Sequence, residues 1–170
     1  KHADYTACLQ SLYAGQVLYC AETGDRESLA MRGTLSYVTS QLQSLGCTKI
    51  DGKVDEFRCS DSRGHDKCLA YLRGHVVRQC ALSDDTTRTA RYASSSEVAA
   101  ELNFNGCFSN PTLVGGWVCD SRSSVDLCET YRRGRATTSC VMHFPQVDFT
   151  DDPWRFESSP ATGQYWVSVN

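Results

Sequence analysis

The sequence predicts an α+β fold made of two tandem units of about 60 residues that are held together by disulfides. Three observations support this prediction. The 170-residue chain contains ten cysteines. A shift of about 60 residues brings all of these cysteines into register without a gap. Helix-like and strand-like patterns alternate between them at matching positions in both units.

A cysteine-framed pattern shows the register most clearly. The pattern C-x-x-Y-x-R-G-x5-C occurs at 68–80 and again at 128–140, and a looser copy lies at 8–20. The other cysteines follow the same shift: Cys47 with Cys107, and Cys59 with Cys119. We therefore interpret the sequence as an internal duplication preceded by half a unit.

Each unit is expected to follow the order β-α-β-β-α-β, the ferredoxin-like split β-α-β pattern, with helices covering an antiparallel sheet. Apolar residues at helical spacing predict an amphipathic helix over 34–46. The other predicted elements of the first unit are strands at 28–33, 56–59 and 75–80 and a short helix over 65–73, each with a counterpart in the second unit. A single larger sheet shared by both units is the alternative.

Capping signals predict where the helices begin and end. Thr34 is expected to cap the first long helix, and the S-x-x-E box of Ser94 and Glu97 is expected to cap its counterpart. A further capping box is predicted at Ser123 and Asp126. The short helices are expected to end at glycine: Gly74 and Gly134.

The register also predicts the domain organisation. We expect one compact domain with four segments: a helix–strand half-unit over 1–27, a first unit over 28–84, a second unit over 88–142, and an aromatic-rich tail over 143–170.

Two disulfide pairings agree with the register. If equivalent cysteines pair equivalently, the favoured local set is Cys8–Cys20, Cys47–Cys59, Cys68–Cys80, Cys107–Cys119 and Cys128–Cys140. An exchanged set that includes Cys20–Cys68 and Cys80–Cys128 satisfies the same equivalence, although it must then close the chain ends.

Composition restricts the class of function. The formal net charge is −3, and no run of basic residues occurs, so nucleic-acid binding is not expected. No apolar stretch is long enough for a transmembrane helix. The cysteine content predicts an oxidising compartment, with secretion favoured and the periplasm as the alternative. We read the start of the chain as that of a mature form or of a trimmed chain.

The sequence contains no motif that assigns catalysis. An even number of paired cysteines leaves no thiolate nucleophile, and the common nucleotide, metalloprotease and serine-hydrolase motifs are absent. We therefore expect a protein that is not an enzyme, with no catalytic residue, cofactor or metal. The alternative is a small ribonuclease-like hydrolase that uses Glu56, His65 and His75, the residue types suited to acid–base catalysis.

The tail departs from the register and is rich in aromatic residues. Its candidate binding residues are Trp154, Arg155, Phe156, Tyr165 and Trp166. We expect the tail to close a sheet edge or to cover the core. The alternative is that these residues form a surface for a protein or an extracellular polymer, since aromatic side chains and arginine are frequent at such contacts.

The ten cysteines from Cys8 to Cys140, the mature-looking start, the modest length and the lack of an enzyme signature resemble the small secreted cysteine-rich effectors and toxins of fungi. This resemblance to a class of proteins implies an effector- or toxin-like binding protein that acts on a host protein or an extracellular target. A periplasmic inhibitor or immunity protein is a further alternative.

Overall fold

The computed structural model describes residues 2–143, which form an α+β structure of five helices and nine strands. The helices are α1 (His2–Tyr13), α2 (Leu35–Ser44), α3 (Ser62–Arg73), α4 (Ser95–Phe104) and α5 (Arg122–Arg133). The strands are β1 (Tyr19–Glu22), β2 (Asp25–Met31), β3 (Cys47–Lys49), β4 (Glu56–Cys59), β5 (Gln79–Leu82), β6 (Asp85–Arg91), β7 (Cys107–Ser109), β8 (Gly116–Cys119) and β9 (Ser139–Met142).

The strands form three sheets. Strands β1 and β2 make an antiparallel hairpin, β3-β4-β5-β6 make a four-stranded sheet, and β7-β8-β9 make a three-stranded sheet. The pairs β4–β5 and β8–β9 are parallel, and the other neighbours are antiparallel. Helix α3 connects β4 to β5, and α5 connects β8 to β9, so each parallel pair is joined by a helical crossover.

This topology corrects the predicted antiparallel, ferredoxin-like sheet. The segment predicted as the first strand of each unit belongs to β2 or β6, and each pairs with the strand immediately before it. Only Thr23 and Gly24 separate β1 from β2, and Gly24 has a φ of 81°. A tight local hairpin needs little loop-closure entropy, which favours it over the more distant ferredoxin-like pairing.

Helices α3 and α5 each lie between two sheets. Helix α3 contacts β2 of the hairpin as well as β4 and β5, and α5 contacts β6 as well as β8 and β9. The buried side chains form three clusters, one for each sheet, with Leu12, Phe57 and Trp117 as large members. The described chain is therefore a row of sheets separated by helices.

Most of the predicted capping is present, with one correction. The Thr34 cap and the capping box of Ser94 and Glu97 are confirmed. The predicted box at Ser123 and Asp126 is wrong, because Ser121 caps α5 by accepting a hydrogen bond from the backbone N–H of Ser124.

The strands predicted after the short helices begin later than expected. Gly74 and Gly134 end α3 and α5 as predicted. His75 and Arg135 then adopt left-handed backbone conformations, with φ of 66° and 65°, which are incompatible with a strand. For this reason β5 begins only at Gln79 and β9 only at Ser139.

All five disulfides belong to the local set. Cys47–Cys59 and Cys107–Cys119 join directly opposed residues of antiparallel strands. The other three join a helix to the following strand: Cys8–Cys20, Cys68–Cys80 and Cys128–Cys140. No helix within residues 2–143 is long and apolar enough to cross a membrane.

The shift that aligns the cysteines also aligns the secondary structure. The elements from α2 to β5 are followed by the elements from α4 to β9, which have the same types in the same order. The boundary predicted between residues 27 and 28 falls inside β2, and the interval 84–88 overlaps β6. Duplication and the proposed domain boundaries stay predictions.

Candidate functional site

The free edge of β2 is held by residues from the end of α3. Alternate carbonyls of an edge strand point away from its partner strand. The Arg73 guanidinium donates a hydrogen bond from Nη1 to the Leu29 carbonyl at 2.8 Å. The next residue, Gly74, packs against the Met31 carbonyl, two residues further along the same edge. The repeated Arg-Gly pair therefore attaches helix α3 to the preceding sheet.

The same contact recurs 60 residues later in the chain, on the edge of β6. Arg133 donates from Nη1 to the Thr89 carbonyl at 2.7 Å, and Gly134 packs against the carbonyl of Arg91. Both arginines lie in the last turn of a helix, where the helix dipole favours a cation. Their hydrogen bonds to an edge strand also block pairing with another chain.

A second arginine reaches the β2 edge from much later in the chain. Arg135, in the turn after α5, donates from Nη2 to the Glu27 carbonyl at 2.8 Å. Glu27 and Leu29 both belong to β2, and Arg73 and Arg135 line the same two cavities. These two arginines are called here the arginine pair.

An open groove of about 1600 Å³ runs over β2, α3, β6 and α5. Eight cationic side chains line it against four carboxylates, although the whole chain has 17 Lys and Arg against 20 Asp and Glu. Besides the arginine pair, the cations of this arginine groove are Arg26, Arg63, Lys67, Arg88, Arg132 and Arg133. The fold has thus concentrated positive charge from scattered positions of an acidic chain.

Much of this charge is not neutralised by ion pairs. Arg88 approaches Asp66 at 3.8 Å, and Arg132 approaches Glu129 at 2.6 Å. Within residues 2–143, no carboxylate is within 4.0 Å of a guanidinium nitrogen in the arginine pair or in Arg133. Burial and the nearby Arg135 cation lower the pKa of Arg73, although arginine keeps its charge in proteins.

His65 lies in the wall of the groove, but its ring serves the fold. The side chain is 1% exposed, and Nε2 lies 3.0 Å from the Arg88 carbonyl. A carbonyl can only accept, so Nε2 is the donor. The Nδ1 atom is buried without a hydrogen bond of normal geometry. Burial and the Arg88 cation lower the pKa of His65, which favours the neutral ring.

The residues 60 positions before and after His65 indicate why a histidine occupies this place. Tyr5 holds the equivalent position in the N-terminal half-unit and donates its hydroxyl hydrogen to the Ser28 carbonyl, and Ser28 is in turn the equivalent of Arg88. The third equivalent position is Val125, which has no polar atom in its side chain. His65 therefore fills a structural position in which tyrosine makes the equivalent bond.

A stack of three rings lies beside the arginine pair. The His75 ring lies between Tyr13 and Tyr92, with centroid distances of 4.1 and 3.9 Å and interplanar angles of 3° and 14°. A small cavity of about 300 Å³ is lined by these rings and by the arginine pair. Burial and the Arg32 cation lower the pKa of His75. A neutral ring suits this largely apolar contact.

The structure does not assemble the hydrolase site considered as an alternative. His65 lines the arginine groove, His75 lines the smaller cavity, and Glu56 lines neither. Within residues 2–143, no group of histidine, cysteine and carboxylate side chains could hold a metal, and no cysteine is free. The predicted binding residues of the tail, Trp154, Arg155, Phe156, Tyr165 and Trp166, lie outside the described residues.

Sequence reasoning missed the arginine groove, because its cations are far apart in the chain. The repeated Arg-Gly pair was the available signal for part of it. Comparisons of this chain with protein-family models, curated proteins and solved structures give no match. The residues of the groove offer guanidinium donors that are suited to binding oxyanions.

Proposed function

We propose that this chain is a secreted, non-enzymatic binding protein, effector- or toxin-like, which engages a host protein or another extracellular target through the arginine groove. The observation that carries the proposal is the number of guanidinium groups in one open concavity, most of which have no carboxylate of residues 2–143 within 4.0 Å. Fixed donors of this kind recognise anionic groups without any reacting side chain. The burial of His65 and its bond from Nε2 to a backbone carbonyl support a structural role for this ring in the proposed binding protein.

The disulfides support the proposed location outside the cell. Five bridges within 170 residues fit an extracellular protein, since oxidising compartments preserve such bonds. We further propose that the chain arose by duplication of one cysteine-framed unit. Stacked units, each contacting its neighbour, would give a stiff scaffold on which the groove is assembled from several units.

A cleavage assay tests binding against the ribonuclease-like alternative. Purified, oxidised protein is incubated with RNA, in parallel with His65→Ala and His75→Ala variants. We expect no cleavage above buffer by any of the three proteins. Cleavage by the unmodified protein that is lost in His65→Ala, with disulfides and folded structure intact, would refute the non-enzymatic proposal.

The tail is proposed as a second contact surface. Trp154 and Arg155 are the first residues to change, because they combine an aromatic ring with a cation. A Trp154→Ala, Arg155→Ala double variant should weaken binding to the target once the target is known. An unchanged affinity would remove the tail from the binding surface and leave the groove proposal in place.

A further inference from the structure

We propose that the arginine groove binds an acidic polysaccharide, with the arginine pair holding one of its carboxylate or sulfate groups. This inference rests on the proposed binding function and adds the chemical class of the ligand. It begins from the attachment of two guanidinium groups to one strand edge. Arg73 and Arg135 are fixed to the carbonyls of Leu29 and Glu27, which are alternate residues of β2.

The arginine pair is arranged before any ligand arrives. A guanidinium has five N–H donors, and within residues 2–143 each guanidinium of the pair makes one hydrogen bond to the protein. Both side chains line the groove as well as the small cavity beside the ring stack. The remaining donors can therefore converge on an oxyanion without a further loss of side-chain freedom.

The groove extends beyond the space that a single anion would fill. Arg26 lies on β2, Arg63 and Lys67 lie on α3, and Arg132 lies on α5. Arg26, Arg63 and Arg132 are exposed to solvent, and Lys67 is half-buried. Cations spread over an open concavity of about 1600 Å³ suit a ligand with several separated negative charges.

Two features favour a polysaccharide over other polyanions. Within residues 2–143, no phenylalanine, tyrosine or tryptophan side chain lines the arginine groove, so this part of the chain offers no stacking platform there for the bases of a single-stranded nucleic acid. An acidic peptide would gain most by adding as a strand to the β2 edge. That edge is occupied, because Arg73 and Arg135 already use its carbonyls. A charged sugar chain needs neither stacking nor strand pairing.

The experiment measures binding of the full, oxidised chain to four fluorescent probes of matched length. The probes are a heparin oligosaccharide, an oligogalacturonate, a single-stranded DNA and a poly-glutamate peptide. We expect one or both polysaccharides to bind more tightly than the DNA and the peptide, and binding to weaken as salt rises. The two polysaccharides distinguish sulfate from carboxylate groups. Tighter binding of DNA or peptide would overturn the proposal.

Two double variants test the location of the site. Arg26→Gln with Arg63→Gln removes two exposed groove cations that make no backbone contact of the kind seen in the arginine pair. We expect polysaccharide affinity to fall about tenfold, by analogy with lost charge contacts elsewhere. The matched control, Arg58→Gln with Arg122→Gln, removes the same charge from exposed positions outside the groove. An equal loss of polysaccharide affinity in the control variant would show that the groove is not the binding site.

The variant Arg73→Gln tests the arginine pair itself, provided that its melting curve shows a folded protein. We expect it to weaken binding by about tenfold, and unchanged affinity would contradict the role of the pair. Probe length is checked by gel after each titration. No binding with intact probes refutes only the polysaccharide inference, whereas cleaved probes refute the non-enzymatic proposal on which it rests.

Discussion

Gly74 lies against the backbone carbonyl of Met31 so closely that a Cβ atom on residue 74 would be 1.8 Å from the carbonyl oxygen. The φ of Gly74 is −82°, a value that any residue can adopt. Glycine is therefore required by the approach of α3 to β2, not by an unusual backbone conformation. Gly134 and Arg91 have the same relationship at the equivalent place in the second unit, also with 1.8 Å.

Gly74→Ala is expected to destabilise the protein by about 2–3 kcal/mol, because the methyl group would push α3 away from β2. Urea unfolding measures this loss. The matched control is Gly33→Ala, whose Cβ would first meet a side-chain atom of Tyr37 at 3.3 Å. We expect the control to change stability by less than about 1 kcal/mol. Equal effects would contradict the argument from close packing.

Replacing Arg133 by Met should cost about 1–3 kcal/mol, because the hydrogen bond from a charged donor to the Thr89 carbonyl is lost. Lysine should not restore full stability, since it lacks the planar fork of arginine. The change also uncovers an edge of β6, so Arg133→Met should self-associate more than Arg133→Lys. Chemical denaturation and analytical ultracentrifugation test these outcomes. Wild-type stability in the Met variant would show that the bond contributes little.

Peptide mapping without reduction should find five links, each between cysteines separated by 12 residues. A Cys20–Cys68 link would show that the exchanged pairing forms instead. Replacing both Cys128 and Cys140 by Ala should cost about 3 kcal/mol, the entropy that a short loop loses in the unfolded chain. Thermal unfolding of the double variant measures this loss.

Acid should destabilise the fold through His65 and His75. The pKa of each is lowered below the ordinary 6.5, so each binds fewer protons in the folded state than in the unfolded state. Their contribution is complete above pH 6.5 and is lost as pH falls through the folded pKa of each ring. Unfolding should therefore become easier as pH falls through the window below about pH 6.5.

Variants separate the two histidines from the carboxylates that titrate at lower pH. His65→Gln keeps a donor for the Arg88 carbonyl, and His75→Gln removes the second titrating ring. Each variant should show a shallower dependence of unfolding free energy on pH than the unmodified chain in this window. The control is His143→Gln, because that side chain is exposed to solvent. If the pH dependence of the unfolding free energy is unchanged in both His65→Gln and His75→Gln, the acid sensitivity does not come from these two histidines.

The cysteine register and the helix positions could be predicted because they depend on local signals. Each of these signals makes its contacts within a few residues in the chain. They are the Thr34 cap, the capping box of Ser94 and Glu97, and the glycines that end α3 and α5. The parallel pairing of β4 with β5 was missed, because strand order depends on how a crossover helix packs. Sequence patterns contain little information on that choice.

The sequence by itself determined which residues form helices, which cysteines could pair and that an oxidising compartment suits the chain. Tertiary structure decided what the repeated Arg-Gly pair does and where the cations meet. Arg73 and Arg135 are distant in the chain, yet each donates a hydrogen bond to a carbonyl of β2. Helices and disulfide loops form from neighbours in the chain, whereas a charged groove requires residues that only packing brings together.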